Sequence, residues 1–134
     1  MNKLEKTKKD ISFISQLMNS VEKRQSFIKT IQINPSSCNY IIENCYEVIR
    51  ELIEARMLID GYKSNSHSST LNFMNEMNLS DADIKFTNDL FKIVYDIKHN
   101  AKDAHVEYCL LVLNFLDYFS EKLKARIKKR LIEF

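Results

Sequence analysis

The chain has 134 residues and a net charge of +2, from 20 lysines and arginines against 18 acids, a balance that by itself selects no partner. One glycine and one proline are too few turn-makers for a many-stranded β fold and cannot build a glycine-rich phosphate loop, so long helices are favoured. With 45% apolar and 28% charged residues, the expectation is one all-α globular domain over residues 1–134.

In chain order, the first helix is expected over residues 3–31. Leu4, Ile11, Ile14, Met18, Val21 and Ile28 fall on three- and four-residue steps, interrupted by Thr7 and Gln25, which is the pattern of a bundle seam. After Gln32 and Ile33, Asn34 suits an N-cap and Pro35 a first helical position. In the second helix Cys38, Cys45, Leu52 and Ile59 recur every seven residues, accompanied by Ile41, Val48, Ala55, Ile42 and Ile49. That stripe is wide enough to face two or more neighbours. Gly61 stands where a helix C-terminus favours left-handed backbone.

A polar turn over residues 63–69 follows, and Ser66 or Ser68 is placed to cap a short third helix containing Leu71, Met74 and Met77. Capping also accounts for the serines around His67 better than a catalytic triad does. Ser80 opens a fourth helix, with Asp81 and Asp83 in its positively poled first turn and Ile84, Thr87, Phe91, Val94, Ile97 and Lys98 along one face. The segment 98–105 is polar. A fifth helix then carries Val106, Leu110, Leu113, Leu116, Phe119, Leu123, Ile127 and Leu131 in phase.

Charge is unevenly spread. In the second helix Glu43, Glu47, Glu51, Glu54 and Asp60 stand against Arg50 and Arg56. Near the end, Lys122, Lys124, Arg126, Lys128, Lys129 and Arg130 stand against Glu121 and Glu133. Such a basic end attracts phosphate backbones, but its ordinary role is to complement the negative pole of its helix. Cys38, Cys45 and Cys109 have neither a paired framework nor a metal-ligand spacing, and no Glu-x-x-His pair occurs. Reduced core cysteines and no metal or cofactor are expected. No apolar run reaches membrane-spanning length and the first ten residues lack an apolar leader core, so no membrane partner and a cytoplasmic location are expected.

The residues 46–55 (Tyr-Glu-Val-Ile-Arg-Glu-Leu-Ile-Glu-Ala), 58–64 (Leu-Ile-Asp-Gly-Tyr-Lys-Ser) and Ser66-His67 resemble the second helix and following turn of prokaryotic HEPN domains. The resemblance implies an up-and-down four-helix bundle plus a short extra helix, often a homodimer. Some HEPN domains are metal-independent ribonucleases, and some partner minimal nucleotidyltransferases in toxin–antitoxin pairs. Their ribonuclease signature is an arginine, then a polar residue, with a histidine after four to six intervening residues, at the junction of the last two core helices.

Carried onto this chain, the signature falls on Lys98 in place of the arginine, His99 next, Asn100 one place late, and His105 after six residues. Lysine supplies charge without the planar fork that grips two phosphate oxygens. Lys98 and His105 are therefore the catalytic candidates, for charge stabilisation and proton transfer. Lys98, Asn100 and Lys102 are the RNA-binding candidates. Glu51 is a further candidate for orienting His105 or Lys98 across the bundle. Its simpler reading is a solvated face shared with Glu47, Glu54 and Arg50. The resulting expectation is a homodimeric HEPN-type protein binding RNA or a nucleotidyltransferase partner, with weak or no catalysis. The alternatives are an endoribonuclease toxin acting through Lys98 and His105, or a generic helical adaptor dimer.

Overall fold

The computed structural model describes residues 4–6, 10–64 and 66–133. They form an all-α helical bundle with one small ribbon: β1 (Leu4–Lys6), α1 (Ile11–Ile28), α2 (Cys38–Ile59), β2 (Tyr62–Ser64), α3 (His67–Asn72), a 3-10 turn (Phe73–Glu76), α4 (Asp81–His99) and α5 (Val106–Ile132). The wide stripe of α2 has its physical consequence here. Cys38, Ile41, Ile42, Cys45, Val48, Ile49, Leu52, Ile53, Ala55 and Ile59 are all buried. The helix they belong to lies at the centre, packed most extensively on α5 and α1 and also on α4 and the α3 region. None of the helices among the described residues is long and apolar enough to cross a membrane.

The first helix departs from expectation. It begins at Ile11, where the Asp10 carboxylate accepts from the Phe13 N–H at 3.0 Å and satisfies one of the free donors of the first turn. Residues 4–6, expected to be helical, instead pair antiparallel with β2, placing Leu4 opposite Ser64, Glu5 opposite Lys63 and Lys6 opposite Tyr62. Backbone pairing to a distant strand has overridden a local helical pattern. Lys3 and Thr7, also within the expected helix, lie outside the described residues. Gln25, which broke the apolar pattern, is buried and donates to Ser120 Oγ at 3.1 Å.

The second helix starts three residues later than expected. Asn34 Oδ1 accepts from the N–H groups of both Ser36 (2.8 Å) and Ser37 (3.0 Å), so residues 34–37 form a turn and Pro35 sits inside it. Asn34 thus serves its local donors, but in a turn rather than at the helix cap. At the other end Gly61 takes φ 89°, as a left-handed helix terminus requires. Ser66 caps α3 through the Ser69 N–H at 3.1 Å, and Ser80 caps α4 through the Asp83 N–H at 3.1 Å.

Two faces are rotated slightly from their expected positions. On α5 the buried residues are Cys109, Val112, Leu116, Phe119, Ser120, Leu123 and Ile127, whereas Leu110 is 45% exposed. On α4 Thr87 and Val94 are buried as expected, joined by Leu90 and Asp83. Side-chain rings tie these two helices together. Phe86 stacks on Phe115 at 4.3 Å and on Tyr108 at 6.2 Å, and the Tyr118 hydroxyl donates to Asp83 Oδ2 at 2.9 Å.

Candidate functional site

The polar segment singled out by sequence is the connection between α4 and α5, and short-range bonds hold its backbone. The Asp96 carbonyl accepts from the N–H groups of Asn100 (2.9 Å) and Lys102 (3.4 Å), while Asn100 Nδ2 donates to Asp96 Oδ1 at 2.8 Å. Ala101 between them takes φ 52°, a left-handed conformation in which a β-carbon crowds the backbone. A second anchor comes from the first turn of α2. Asn39 Nδ2 donates to Asp103 Oδ1, and Asn39 Oδ1 accepts from the Ala104 N–H, both at 2.9 Å.

Around this fixed backbone, Lys98, His99, Asn100, Lys102 and His105 are all exposed. The His99 ring lies on Tyr95 at 4.5 Å. His105 occupies the N-cap position of α5 without a side-chain cap bond. Lys98 and His105 therefore flank one loop, but no hydrogen bond or ion pair joins them among the described residues.

Glu51 is elsewhere. Its carboxylate is buried against α1, accepting from Ser20 Oγ at 2.8 Å and lying 3.5 Å from Arg24 Nε. Glu47 and Glu54 pair with Arg50 at 3.0 and 3.2 Å on the outer side of α2, so the shared solvated face is corrected: Glu51 is turned away from it. Its partners belong to α1, not to the α4–α5 connection. The network continues from Arg24 Nη1 to Asn44 Oδ1 (3.0 Å), and from Asn44 Nδ2 to the Tyr40 carbonyl (2.8 Å).

Among the described residues, three of the six cations at the basic end of α5 pair with acids of the chain. Lys122 lies 3.5 Å from Asp83, Lys124 is 2.9 Å from Glu22, and Arg130 is 3.3 Å from Asp60. The Lys124 bond holds the Glu22 carboxyl below its ordinary pKa. Among the described residues no group of three or more His, Cys, Asp or Glu side chains is gathered as a metal would require.

Sequence reasoning missed Asn39, Ser20, Arg24 and Asn44. Asn39 is one polar residue in the first turn of an amphipathic helix, and its partners lie 64 and 65 positions away. Nothing local marks it. For Ser20 and Arg24 a signal existed: polar residues interleaved with a helical seam, opposite a glutamate on an otherwise apolar helix. No model of a known protein family and no curated protein sequence matches the chain.

Proposed function

We propose that this chain is a HEPN-type module, an up-and-down four-helix bundle plus a short extra helix, that binds RNA through the α4–α5 connection with weak or no catalysis. The observation that carries the reading is the exposure of Lys98, Asn100 and Lys102 on a backbone fixed from both sides by Asp96 and Asn39. A rigid loop presents its cations without a large ordering cost on binding. Lysine ammonium groups neutralise phosphates, and the Asn100 amide can exchange its Asp96 contact for a base or sugar oxygen. The exposed Tyr95–His99 ring pair next to Lys98 adds a stacking surface of the kind unpaired bases use.

Weak catalysis follows from the chemistry of Lys98, which offers charge but not a two-point grip on the phosphorane oxygens. Homodimerisation and pairing with a minimal nucleotidyltransferase come with the HEPN resemblance and form part of the same proposal.

The test is binding of a labelled single-stranded RNA by fluorescence anisotropy, with chelator present and salt varied. Replacing Lys98 and Lys102 together by alanine is expected to weaken binding and to flatten the salt dependence by roughly 0.7 per lost phosphate contact. Unchanged affinity and slope would exclude the loop. The same samples run on a gel read cleavage. Equal cleavage by wild type, Lys98→Ala and His105→Ala would eliminate the catalytic pair.

A further inference from the structure

A second feature involves the first turn of α2, the same turn that anchors the α4–α5 connection. An open groove of about 630 Å³ runs between α1 and α2, lined in part by Asn19, Lys23, Arg24, Phe27, Tyr40 and Asn44. Phe27 and Tyr40 are 48% and 50% exposed and meet edge to face with ring centres 6.2 Å apart. No carboxylate is among the described residues that line it. Glu51 lies against Ser20 and Arg24, two of the lining residues, which already engage it.

Three properties of this groove belong together. Half-exposed aromatic rings offer π faces, the exposed Lys23 supplies positive charge beside an Arg24 guanidinium that Glu51 partly offsets, and the exposed Asn19 amide presents a hydrogen-bonding edge. That combination suits a strand whose bases are unstacked and whose backbone is anionic. Arg24 is not a loose surface cation. Its Nη1 is held on Asn44, and Asn44 is held on the Tyr40 backbone carbonyl, so the cation is tied to the turn of α2 that carries the Tyr40 ring. Tyr40 directly follows Asn39, the residue that ties down the α4–α5 connection. The groove and the loop are thus joined through consecutive residues of the first turn of α2.

Taking the RNA-binding role as its footing, we infer that the α1–α2 groove is a subsite for unpaired bases, making single-stranded rather than duplex RNA the ligand. Bases stack on Tyr40 and Phe27, while Lys23 and Arg24 hold the backbone that continues toward Lys98 and Lys102. The sequence of such a strand matters less than its being single, because every base has a π face.

The experiment compares a labelled single-stranded RNA of mixed sequence with the same strand annealed to its complement. Wild type, Phe27→Ala, Tyr40→Ala, Tyr40→Phe and the Lys98→Ala/Lys102→Ala double variant are measured, with oligomeric state followed by light scattering. Single-strand binding is expected to exceed duplex binding. Tyr40→Ala and Phe27→Ala should each weaken the single strand by about tenfold, with Tyr40→Phe restoring wild-type affinity. Circular dichroism checks that these surface substitutions leave the fold intact. If RNA binds and depends on Lys98 and Lys102 but not on Tyr40 or Phe27, the groove is no subsite and only the loop reading stands. A change of oligomeric state in place of affinity makes the groove a contact between copies of the chain and overturns the inference. Absence of RNA binding by wild type overturns both.

Discussion

Asn39 and Asp103, 64 residues apart, are joined by a 2.9 Å hydrogen bond from amide to carboxylate, and the same amide accepts the neighbouring Ala104 N–H. One side chain in the first turn of α2 therefore sets the position of the loop between α4 and α5. Apolar burial holds the loop only at Ala104, which packs partly buried on the core, while residues 100–103 and His105 are exposed.

Asn39→Ala should release that loop. Two partly exposed hydrogen bonds of ordinary strength are lost, so the expected cost to stability is about 1–2 kcal/mol. Hydrogen exchange at the Ala104 amide should accelerate, and RNA affinity should fall with it. An Ala104 amide as protected as in wild type would show that something other than Asn39 fixes the loop.

Ala101 carries a conformation that glycine adopts freely. A left-handed alanine costs roughly 1–2 kcal/mol, against which glycine loses about 0.5–1 kcal/mol through the greater freedom of its unfolded chain. Ala101→Gly should therefore be neutral to stabilising by up to about 1 kcal/mol in urea denaturation. Clear destabilisation would mean that the left-handed backbone at φ 52° is not the solution form.

The buried Glu51 carboxylate accepts a short hydrogen bond from Ser20. Ser20→Ala leaves that oxygen without its donor and should cost about 1–3 kcal/mol, as expected for an unsatisfied buried acceptor. Glu51→Gln in the Ser20→Ala background removes the charge and should recover part of the loss. Additive effects of the two substitutions would show that Ser20 and Glu51 do not act together.

Alkaline pH tests the core. Burial pushes the Cys45 and Cys109 thiols and the Tyr46 and Tyr108 phenols up to about 12. These groups stay protonated in the fold while the unfolded chain ionises from about pH 9 upward. Their contribution is whole below about pH 9 and is lost as pH rises toward about 12. Urea midpoints should therefore fall steeply across that window, less steeply for Cys45→Ala. Thiol reagents should modify Cys45 and Cys109 slowly in native protein at neutral pH. A flat profile would place these side chains in contact with water.

Much of the scaffold was legible because its signals are local or periodic. The heptad of α2, the serine caps of α3 and α4 and the turn at Gly61 each rest on residues within one or two turns. Residues 4–6 were misread because their partners, Tyr62–Ser64, are distant in sequence while their own pattern fits a helix. The local pairing of Glu47, Arg50 and Glu54 suggests a solvated Glu51; only the position of α1 shows that residue 51 turns inward. Helical spacing puts Leu110 on the seam, but a one-residue rotation separates Cys109 in the core from Leu110 at the surface. The loop's polarity was readable. Its attachment to Asn39 was not.

The most direct measurement is a residue-resolved NMR titration of the protein with a single-stranded RNA. Shifts concentrated on residues 98–105 and on the first turn of α2 are the predicted result. Shifts confined to Arg126, Lys128 and Lys129 near the end of α5, or none at saturating RNA, would contradict binding at the Asn39-tethered loop.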